Sequence, residues 1–272
     1  MGYQITTLVE NCVYGRKLQA EHGLSLYIET PESKLLFDTG ASDLLVRNAR
    51  LLHIDLQAVD YLILSHGHSD HTGGLRHFLD LNSRATVICK PGIFSPKFKD
   101  DRENGVKHAE NLDWSRFRFI EKRTEPVPGV VLFPEIAIVN QEDTHFEHFF
   151  VREKNGCIPD TFQDELALAL VGPEGVSILS ACSHRGITNI LHAVRNAFPG
   201  LPCNLLLGGF HIHRAEERKY RAIADYLREY PPRRIGVCHC TGVDKYAFFY
   251  KDFGDRIFYN HTGKLIQTDS LL

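Results

Sequence analysis

The sequence predicts a single α/β (α+β) domain over residues 1–272, in which strands and helices alternate along the chain. Short apolar runs of strand length recur between segments with helical periodicity. Some of these runs are apolar at almost every position, as expected of strands that are buried on both faces of a sheet. The chain is also long enough to bury a large core.

The composition excludes several classes of protein. Hydrophobic residues make up 43% and charged residues 24%, which is ordinary for a soluble globular protein. The net charge of −3 argues against a nucleic-acid binder, and no apolar run approaches the length of a membrane span. The seven cysteines show no regular spacing and no signal-peptide pattern is present, which predicts a reduced, cytoplasmic setting. We therefore expect a small-molecule substrate, without a nucleic-acid or membrane partner; the oligomeric state stays open.

The first third of the chain predicts strands and helices in turn. Ser42 is expected to cap a helix that ends near Leu52. The run Val59–Leu64, which is apolar except for Asp60, is predicted to be a buried strand, and it leads directly into a histidine-rich loop. The other elements predicted here are the strands Tyr3–Val9, Leu24–Glu29, Leu35–Phe37 and Thr86–Cys89 and the helix Leu75–Leu81.

The segment from about 91 to 128 is predicted to be irregular, because it combines several prolines with a charged stretch. Two interpretations stay open: an insertion that covers a cleft, or a solvated excursion on the surface. In the first case its basic residues would meet a phosphate or carboxylate of the substrate; they are Lys97, Lys99, Arg102 and Lys107.

Strands and helices resume after this segment. A hairpin is predicted at Glu165–Val171 and Val176–Ser180, joined by Gly172-Pro173-Glu174-Gly175. A helix from Thr188 to Phe198 ends before Pro199-Gly200. The remaining predicted elements are the strands Val130–Phe133, Ile136–Val139, Leu205–Leu207 and Ile235–Val237 and the helix Ala215–Glu229.

Metal-ligating residue types follow four of the predicted strands. They are Asp38, the run His66, His68, Asp70 and His71, then His184, and finally His239. Loops at strand ends are where a rigid scaffold presents reactive groups. In the His66-x-His68-x-Asp70-His71 run, the first two histidines lie on the same side of an extended segment, and the last two residues follow as the chain turns into a helix. Imidazole and carboxylate groups suit zinc and similar divalent metals, so this run predicts a metal site.

The run SHGHSDHTGG resembles the signature H-x-H-x-D-H loop of the metallo-β-lactamase superfamily, and the upstream LLFDTG resembles its early aspartate motif. The resemblance extends to EHGLS at 21–25, ACSHRGI at 181–187, GGFHI at 208–212 and CHCTG at 238–242. Together these motifs are similar to the subgroup typified by 7,8-dihydropterin-6-methyl-4-(β-D-ribofuranosyl)aminobenzene-5′-phosphate synthases. The resemblance implies a four-layer αβ/βα sandwich of two mixed β-sheets flanked by helices, with the metals at one edge between the sheets.

The same resemblance implies two sets of metal ligands. One metal would be held by His66, His68 and His184, and the second by Asp70, His71 and His239, while Asp38 would orient a ligand from behind. Many members of the superfamily also have an aspartate that bridges the two metals, and no residue here matches it: one strand leads into Cys182 and His184, another into Phe210 and His211. Two-metal occupancy therefore stays open.

Several further residues have more than one interpretation. His211 shares the metal edge and is a candidate catalytic acid or replacement ligand, whereas His213 is expected on the surface. His22 either lines the cleft or packs structurally, and Cys182 stands near a ligand position of some relatives. Cys238 and Cys240 are expected to point away from His239 and to pack. Asp164 and Glu165 either anchor a ligand or simply open the hairpin. The remaining histidines are expected to be non-ligands: His53, His77, His108, His145, His148, His192 and His261.

These residues predict a metal-dependent hydrolase that uses one or two zinc ions, with manganese or iron as alternatives, to activate water. Asp70 would orient the nucleophile and His211 would protonate the leaving group. The substrate class stays broad: an ester, thioester, lactone or phosphoester. Three other functions remain open, namely a lyase or transferase acting on a phosphorylated pterin-like aromatic, redox chemistry at iron, and a non-enzymatic metal-binding protein.

Overall fold

The computed structural model describes residues 2–268 and contains eighteen strands in that range. In chain order they are β1 (Gln4–Val9), β2 (Ser25–Glu29), β3 (Lys34–Phe37), β4 (Tyr61–Ile63), β5 (Thr86–Cys89), β6 (Lys97–Lys99), β7 (Arg102–Glu103), β8 (Phe117–Phe119), β9 (Thr124–Val127), β10 (Val130–Phe133), β11 (Phe149–Glu153), β12 (Gly156–Pro159), β13 (Ala167–Gly172), β14 (Gly175–Leu179), β15 (Cys203–Gly208), β16 (Arg234–Val237), β17 (Ile257–Tyr259) and β18 (Leu265–Gln267).

Six α-helices lie between the strands of the described range. They are α1 (Leu44–Leu51), α2 (Ser69–Thr72), α3 (Leu75–Leu81), α4 (Ile187–Ala197), α5 (Glu217–Glu229) and α6 (Val243–Phe253). No helix within residues 2–268 is long and apolar enough to cross a membrane.

The strands form two seven-stranded mixed sheets and a small four-stranded sheet. The order in the first sheet is β18-β1-β2-β3-β4-β5-β8, and in the second it is β17-β16-β15-β14-β13-β10-β9. The small sheet has the order β12-β11-β6-β7. Both large sheets have an antiparallel half and a parallel half, so the prediction of two mixed sheets is confirmed.

Three hydrophobic clusters define four layers. One cluster lies between the two large sheets and joins residues such as Phe37 and Ile63 of the first to Leu168 and Leu207 of the second. A second cluster packs α1 and α3 against the outer face of the first sheet. The third packs α4, α5 and α6 against the outer face of the second sheet. This is the helix–sheet–sheet–helix order that the family resemblance implied.

The parallel halves of the two sheets bring the chemically important loops together. Strands β3, β4 and β5 run parallel, and so do β14, β15, β16 and β17. The carboxyl ends of parallel strands meet at the same edge of a sheet. The segments that follow β3, β4, β14, β15 and β16 therefore lie at one edge of the sandwich, and these are the segments that carry the predicted ligands.

Part of the segment 91–128, which the sequence predicts to be an irregular insertion, forms short strands that join the sheets. Phe117–Phe119 extends the first large sheet and Thr124–Val127 extends the second. Lys97–Lys99 and Arg102–Glu103 form a hairpin that pairs with Phe149–Glu153 in the small sheet. The sequence did not reveal these strands because they have only two to four residues, which is too short for hydrophobic periodicity to distinguish a strand from a loop.

The predicted strand Ile136–Val139 is wrong, because this segment has no β partner among residues 2–268. Side chains near the start of α4 satisfy its backbone instead. Asn189 accepts hydrogen bonds from the backbone N–H groups of Val139 and Asn140, and Arg185 donates to the carbonyl of Ile136. Besides β6, β7, β8 and β9, the sequence analysis missed β11, β12, α6, β17 and β18.

A buried ion triad fastens the small sheet to the edge that carries the histidine loop. The Lys97 ammonium group contacts the carboxylate of Asp160 and lies 2.9 Å from Oδ1 of Asp164. All three side chains are buried. The other oxygen of Asp164 accepts a hydrogen bond from the backbone N–H of Gly67, at 2.8 Å. One lysine thus pairs with two buried carboxylates, one of which holds the loop between His66 and His68.

Replacing Lys97 with Met is expected to lower the free energy of unfolding by about 3–5 kcal/mol, because it leaves two buried carboxylates without a counter-ion. Urea denaturation monitored by circular dichroism measures this change. The matched control is Lys107→Met, an exposed lysine of the same segment, which should shift stability by about 0.5 kcal/mol or less. Equal effects of the two substitutions would show that the triad does not stabilise this edge.

Candidate metal centre

The site is built at strand ends that hold non-glycine residues in the left-handed backbone region. Asp38, Ser183, His211 and His239 have φ angles of 60°, 55°, 52° and 51°. Such conformations are uncommon for residues with a side chain and cluster at functional sites. Here each one turns the chain sharply after a parallel strand and keeps the ligand-bearing segments at the same edge.

The histidine loop follows β4 and continues into the short helix α2. Gly67 lies between His66 and His68 where the backbone passes close to Ile93. A Cβ atom at this position would lie 2.2 Å from the carbonyl oxygen of Ile93. Only glycine fits this close approach, so the loop can run beneath the segment that follows β5 and still present both histidines.

The structure brings together the first predicted ligand set. The ligand atoms of His66, His68 and His184 all lie within 4.8 Å of one another. All three side chains are buried, and none of their Nε2 atoms has a hydrogen-bond partner among the described residues. Three buried imidazole nitrogens facing one point without partners is the arrangement expected of a metal site.

The second predicted set lies beside the first. Oδ2 of Asp70 is 3.3 Å from Nε2 of His239 and 3.8 Å from Nε2 of His71. The other oxygen of Asp70 is buried without a partner in the described part of the chain, as is Nε2 of His239. The His66 and His71 rings are 4.4 Å apart, so the two sets are adjacent.

Asp38 orients two of the histidines through their Nδ1 atoms, on the side of each ring opposite Nε2. Its Oδ2 is 2.7 Å from Nδ1 of His71 and also accepts a hydrogen bond from the hydroxyl of Ser65. That hydroxyl is 2.9 Å from Nδ1 of His66. Because Ser65 donates to Asp38, its oxygen accepts the proton of His66 Nδ1. In their neutral forms both imidazoles carry the proton on Nδ1 and present the lone pair of Nε2 to the centre.

Acceptors also hold Nδ1 of the two ligands that come from the second sheet. Nδ1 of His184 lies 3.1 Å from the backbone carbonyl of His145, and Nδ1 of His239 lies 2.8 Å from Oδ1 of Asn11. A carbonyl oxygen can only accept, so each Nδ1 carries the proton. Four of the five histidines are therefore fixed in the tautomer that a metal at Nε2 requires.

Burial keeps the ligand histidines neutral. It lowers the pKa of His66 and of His184 well below the ordinary value, and the neighbouring histidines lower both further. Burial lowers the pKa of His68 to about 3 and that of His239 to about 4. Metal ligation needs neutral imidazole, so at pH 7 these side chains do not have to lose a proton first.

Asp70 and His71 form the charged part of the site. Burial alone would raise the pKa of Asp70, but the charge of His71 and the contacts with His22 and His239 hold it well below its usual range. Burial alone would lower the pKa of His71, but the carboxylates of Asp70 and Asp38 outweigh it and raise the pKa. Without a bound cation, Oδ1 of Asp70 has no hydrogen-bond partner among the described residues. The charge of His71 then balances that of the Asp70 carboxylate.

His211 lies next to the first set. Its ring centroid is 4.2 Å from that of His184, and its Nδ1 is buried without a partner among the described residues. Burial lowers the pKa of His211 well below the usual value, and the neighbouring His145 and His68 lower it further. A neutral His211 accepts a proton or donates one N–H at pH 7, rather than acting as a ready imidazolium acid.

Buried carboxylates and a phenyl ring support the loops. Glu165 accepts hydrogen bonds from the backbone N–H groups of His184 and Arg185, and burial raises its pKa to about 7. Glu10 accepts from the N–H of His239 in the same way, and burial raises its pKa. Phe162 stacks on His184 with centroids 3.7 Å apart. Asp164 and Glu165 thus anchor ligand-bearing loops besides leading into the hairpin.

A cavity of about 550 Å³ opens over the ligands. Five of the residues discussed above reach it, namely His68, Asp70, Cys182, His211 and His239. His22 and His213 also line it, so the first interpretation of His22 holds, and exposed His213 lies on the cavity wall. The Asp100–Asn104 stretch and Lys99 form the rim on the side of the small sheet.

The residues present fit a divalent metal centre. The imidazoles of His66, His68, His184 and His239 face a carboxylate across a small space, and their Nε2 atoms have no hydrogen-bond partner among residues 2–268. Leaving such atoms buried and unpaired costs free energy, which a bound cation recovers. All six predicted ligands lie at this edge of the sandwich.

Sequence reasoning missed several residues that hold the ligands in place. Glu10 and Asn11 follow β1 as a polar pair at a strand end, the same signal that revealed Asp38, and it was not applied to them. His145 was treated as a non-ligand, but its backbone carbonyl orients His184. A backbone group leaves no trace in sequence, so that contact was not predictable.

The depressed pKa of His68 predicts a pH-dependent difference between the metal-free protein and its His68→Asn variant. The unfolded chain takes up this proton near the ordinary value of 6.5, whereas the folded chain does so near 3. As pH falls between these values the unfolded state binds more protons, so the wild type loses about 1.4 kcal/mol of stability per pH unit relative to the variant. Above about pH 7.5 the difference should be constant.

Chemical denaturation of both metal-free proteins between about pH 7.5 and about pH 5 measures this difference, which should change by ~2 kcal/mol. The comparison of the two chains cancels the titration of every group that does not interact with His68. Parallel stability curves would contradict a neutral, buried His68.

Comparison with known proteins agrees with this geometry. The model of the metallo-beta-lactamase superfamily matches residues 19–154, half of the chain, a range that includes the histidine loop but ends before Cys182. The chain is 28% identical over 285 residues to the 7,8-dihydropterin-6-methyl-4-(beta-D-ribofuranosyl)-aminobenzene-5'-phosphate synthase of Methanocaldococcus jannaschii, covering 97% of this chain and 96% of that protein.

Two solved structures share the fold. The crystal structure of a metal-dependent hydrolase of the beta-lactamase superfamily superposes with a TM-score of 0.84, at 28% identity, over 97% of this chain and 98% of the other. The metallo-beta-lactamase fold protein YhfI from Bacillus subtilis superposes with a TM-score of 0.62, at 10% identity, over 98% of this chain and 100% of the other. With the histidine loop inside the matched range and the four-layer fold around it, the chain belongs to the metallo-beta-lactamase superfamily.

Proposed function

We propose that this chain is a metal-dependent hydrolase that acts on an ester, thioester, lactone or phosphoester of a small anionic molecule. The observation that carries the proposal is the set of inward-facing, unpartnered ligand atoms at the floor of an open cavity. A purely structural metal site is closed by four protein ligands, whereas a catalytic site leaves room for substrate beside the metal.

Divalent metals held by His66, His68 and His184 and by Asp70, His71 and His239 would lower the pKa of a bound water toward ~7 and polarise the bond under attack. The side chains around them have separate tasks. Asp70 reaches the cavity and has one oxygen free of protein partners, so it orients the attacking water. His211 is neutral at pH 7, so it donates its N–H to the substrate or relays a proton.

The charged side chains at the rim of the cavity favour an anionic substrate. Three cationic side chains line it, Lys99, Arg102 and Arg214, against two acidic ones, Asp100 and Glu103. Asp100 is already engaged by His148, at 2.9 Å. The sequence analysis also offered Lys97 and Lys107 as contacts for a phosphate or carboxylate of the substrate. Lys97 is instead buried in its ion triad, and Lys107 does not line the cavity.

A second candidate function is a lyase or transferase acting on a phosphorylated pterin-like aromatic. The similarity to the archaeal synthase over nearly the full length of both chains favours it. The cavity also presents the ring of Phe149, which lies beside His68 and within 5.3 Å of the Lys99 ammonium group. An aromatic ring and cations on one wall suit a substrate that has a planar ring and a phosphate.

Turnover assays separate these functions. The hydrolase proposal expects metal-dependent release of product from at least one member of a panel of phosphoesters, thioesters and lactones. A protein that consumes a phosphorylated dihydropterin only together with a second substrate would support the lyase or transferase function. Bound metal without turnover on any panel member would indicate a non-enzymatic member of the fold.

Replacing His68 with Ala is expected to remove metal and activity together. Elemental analysis of the wild type should find near two equivalents of metal per chain, and the variant should retain at most one. The specificity constant kcat/KM on the panel substrate should fall by at least ~100-fold, because mutating residues that only orient metal ligands already lowers activity by up to about 100-fold.

The matched control for this experiment is His77→Ala, because His77 is an exposed histidine on α3 just after the loop. It should keep full metal content and activity. Full metal retention by His68→Ala would remove His68 from the ligand set and contradict the proposed centre.

Replacing Arg102 with Ala is expected to raise KM about fivefold for an anionic substrate and to leave kcat unchanged, because an exposed charge pair contributes up to about 1 kcal/mol. The effect should shrink at high salt, where such pairs are screened. Lys107→Ala, which removes the same charge outside the cavity, is the control and should not change KM. A loss in kcat with KM unchanged would show that Arg102 does not bind the ground-state substrate.

A further inference from the structure

We infer that the thiolate of Cys182 bridges the two metal ions of this centre, in the place of the bridging carboxylate that the sequence lacks. The inference rests on the metal centre proposed above and specifies a ligand that the six-residue set does not include. It is carried by the position of one sulfur atom relative to the ligands of both sets.

Cys182 lies between the two ligand sets. Its Sγ is within 4.8 Å of the ligand atoms of His66 and His184 on one side, and of His71 and His239 on the other. Its distance to Nε2 of His71 is 3.1 Å. A tetrahedral zinc ion separates a sulfur ligand from a nitrogen ligand by about 3.6 Å, from bond lengths of about 2.3 and 2.1 Å. The observed spacing is therefore close to what a shared sulfur ligand requires.

The environment of Cys182 differs from that of a cysteine that merely fills the core. Cys89 and Cys238 are members of the hydrophobic clusters that flank the first large sheet. Cys182 is equally buried, at 2% exposed, but belongs to none of the three clusters. Its sulfur faces imidazoles instead of aliphatic side chains.

The charge of the site calls for a second anion. His66, His68 and His184 are neutral ligands, and so are His71 and His239 once they bind a metal through Nε2. Among the ligand candidates of the two sets, Asp70 is the only carboxylate. Two divalent cations bring four positive charges into a buried site, which is costly without compensating negative charge. A thiolate ligand at Cys182 would supply one such charge beside that of Asp70.

The bridge has a consequence for metal choice. Thiolate is a soft ligand that favours zinc and iron, whereas manganese and magnesium favour oxygen ligands. A site with a bridging thiolate should therefore take zinc, or iron, in preference to manganese.

X-ray absorption at the zinc edge tests the inference on the wild-type chain. The protein is stripped with a chelator, reloaded with two equivalents of zinc and kept reduced with a phosphine, because the sulfurs of Cys182 and Cys240 lie within 4.8 Å of each other and could oxidise to a disulfide. A bridge should give about one sulfur at about 2.3 Å per zinc, in addition to nitrogen and oxygen at about 2.0–2.2 Å. A terminal thiolate on one metal would give half as much sulfur per zinc and would overturn the bridge.

Three variants extend the test. Cys182→Ser should lose the sulfur signal, whereas Cys240→Ser should keep it, because the Cys240 thiol is directed at the carbonyl oxygen of Cys182, 3.6 Å away. Cys182→Asp should keep two metals without sulfur and should shift the preference toward manganese, measured by competition between the two ions. Loss of the sulfur signal in Cys240→Ser, with retention in Cys182→Ser, would assign the ligand to Cys240 and overturn the inference.

Metal content measured on the same samples separates the two proposals. Two bound zinc ions with only nitrogen and oxygen neighbours would refute the thiolate bridge and leave the proposed hydrolase intact. A wild-type chain that retains no metal would refute both.

Discussion

The carboxylate of Asp38 is the contact on which the metal centre depends. It accepts hydrogen bonds from the backbone N–H and the hydroxyl of Ser65, and it also lies 2.7 Å from Nδ1 of His71. Through Ser65 it also fixes the tautomer of His66. Asp38 can do this only because it ends β3 in a left-handed conformation, beside the end of β4. One buried side chain thus couples the register of two parallel strands to the orientation of two ligands.

The rest of the site follows the same design, in which inner groups are left without partners and outer groups are fully engaged. Four of the five ligand histidines have an acceptor at Nδ1, and the backbone N–H groups of His184 and His239 are held by Glu165 and Glu10. The Nε2 atoms of His66, His68, His184 and His239 have no hydrogen-bond partner among the described residues. Unpaired buried polar atoms destabilise a fold, so the metal-free chain stores free energy at this edge that binding releases. The buried Lys97 triad stabilises the adjacent loop, which offsets part of that cost.

Much of this was predictable because it depends on local pattern. Apolar runs located β3, β4, β5 and β16 to within a residue or two, and the spacing of His66, His68 and His71 indicated a metal. Prediction failed where long-range contacts decide the outcome. Val139 lies in a segment with strand-like composition, but Asn189 satisfies its backbone. The carbonyl that orients His184 belongs to His145, a residue 39 positions away. The position of Cys182 between the two sets depends on how the two sheets pack, which no short motif encodes.

The division of the proposed ligands between the sheets has a consequence for how the protein would acquire a metal. The first sheet supplies the loop from His66 to His71, and the second supplies Cys182, His184 and His239. A chain emerging from the ribosome therefore exposes a four-residue partial site long before the other half exists. Tight and selective binding must wait until both sheets have formed and packed, so metal selection is a property of the finished sandwich and not of the nascent loop.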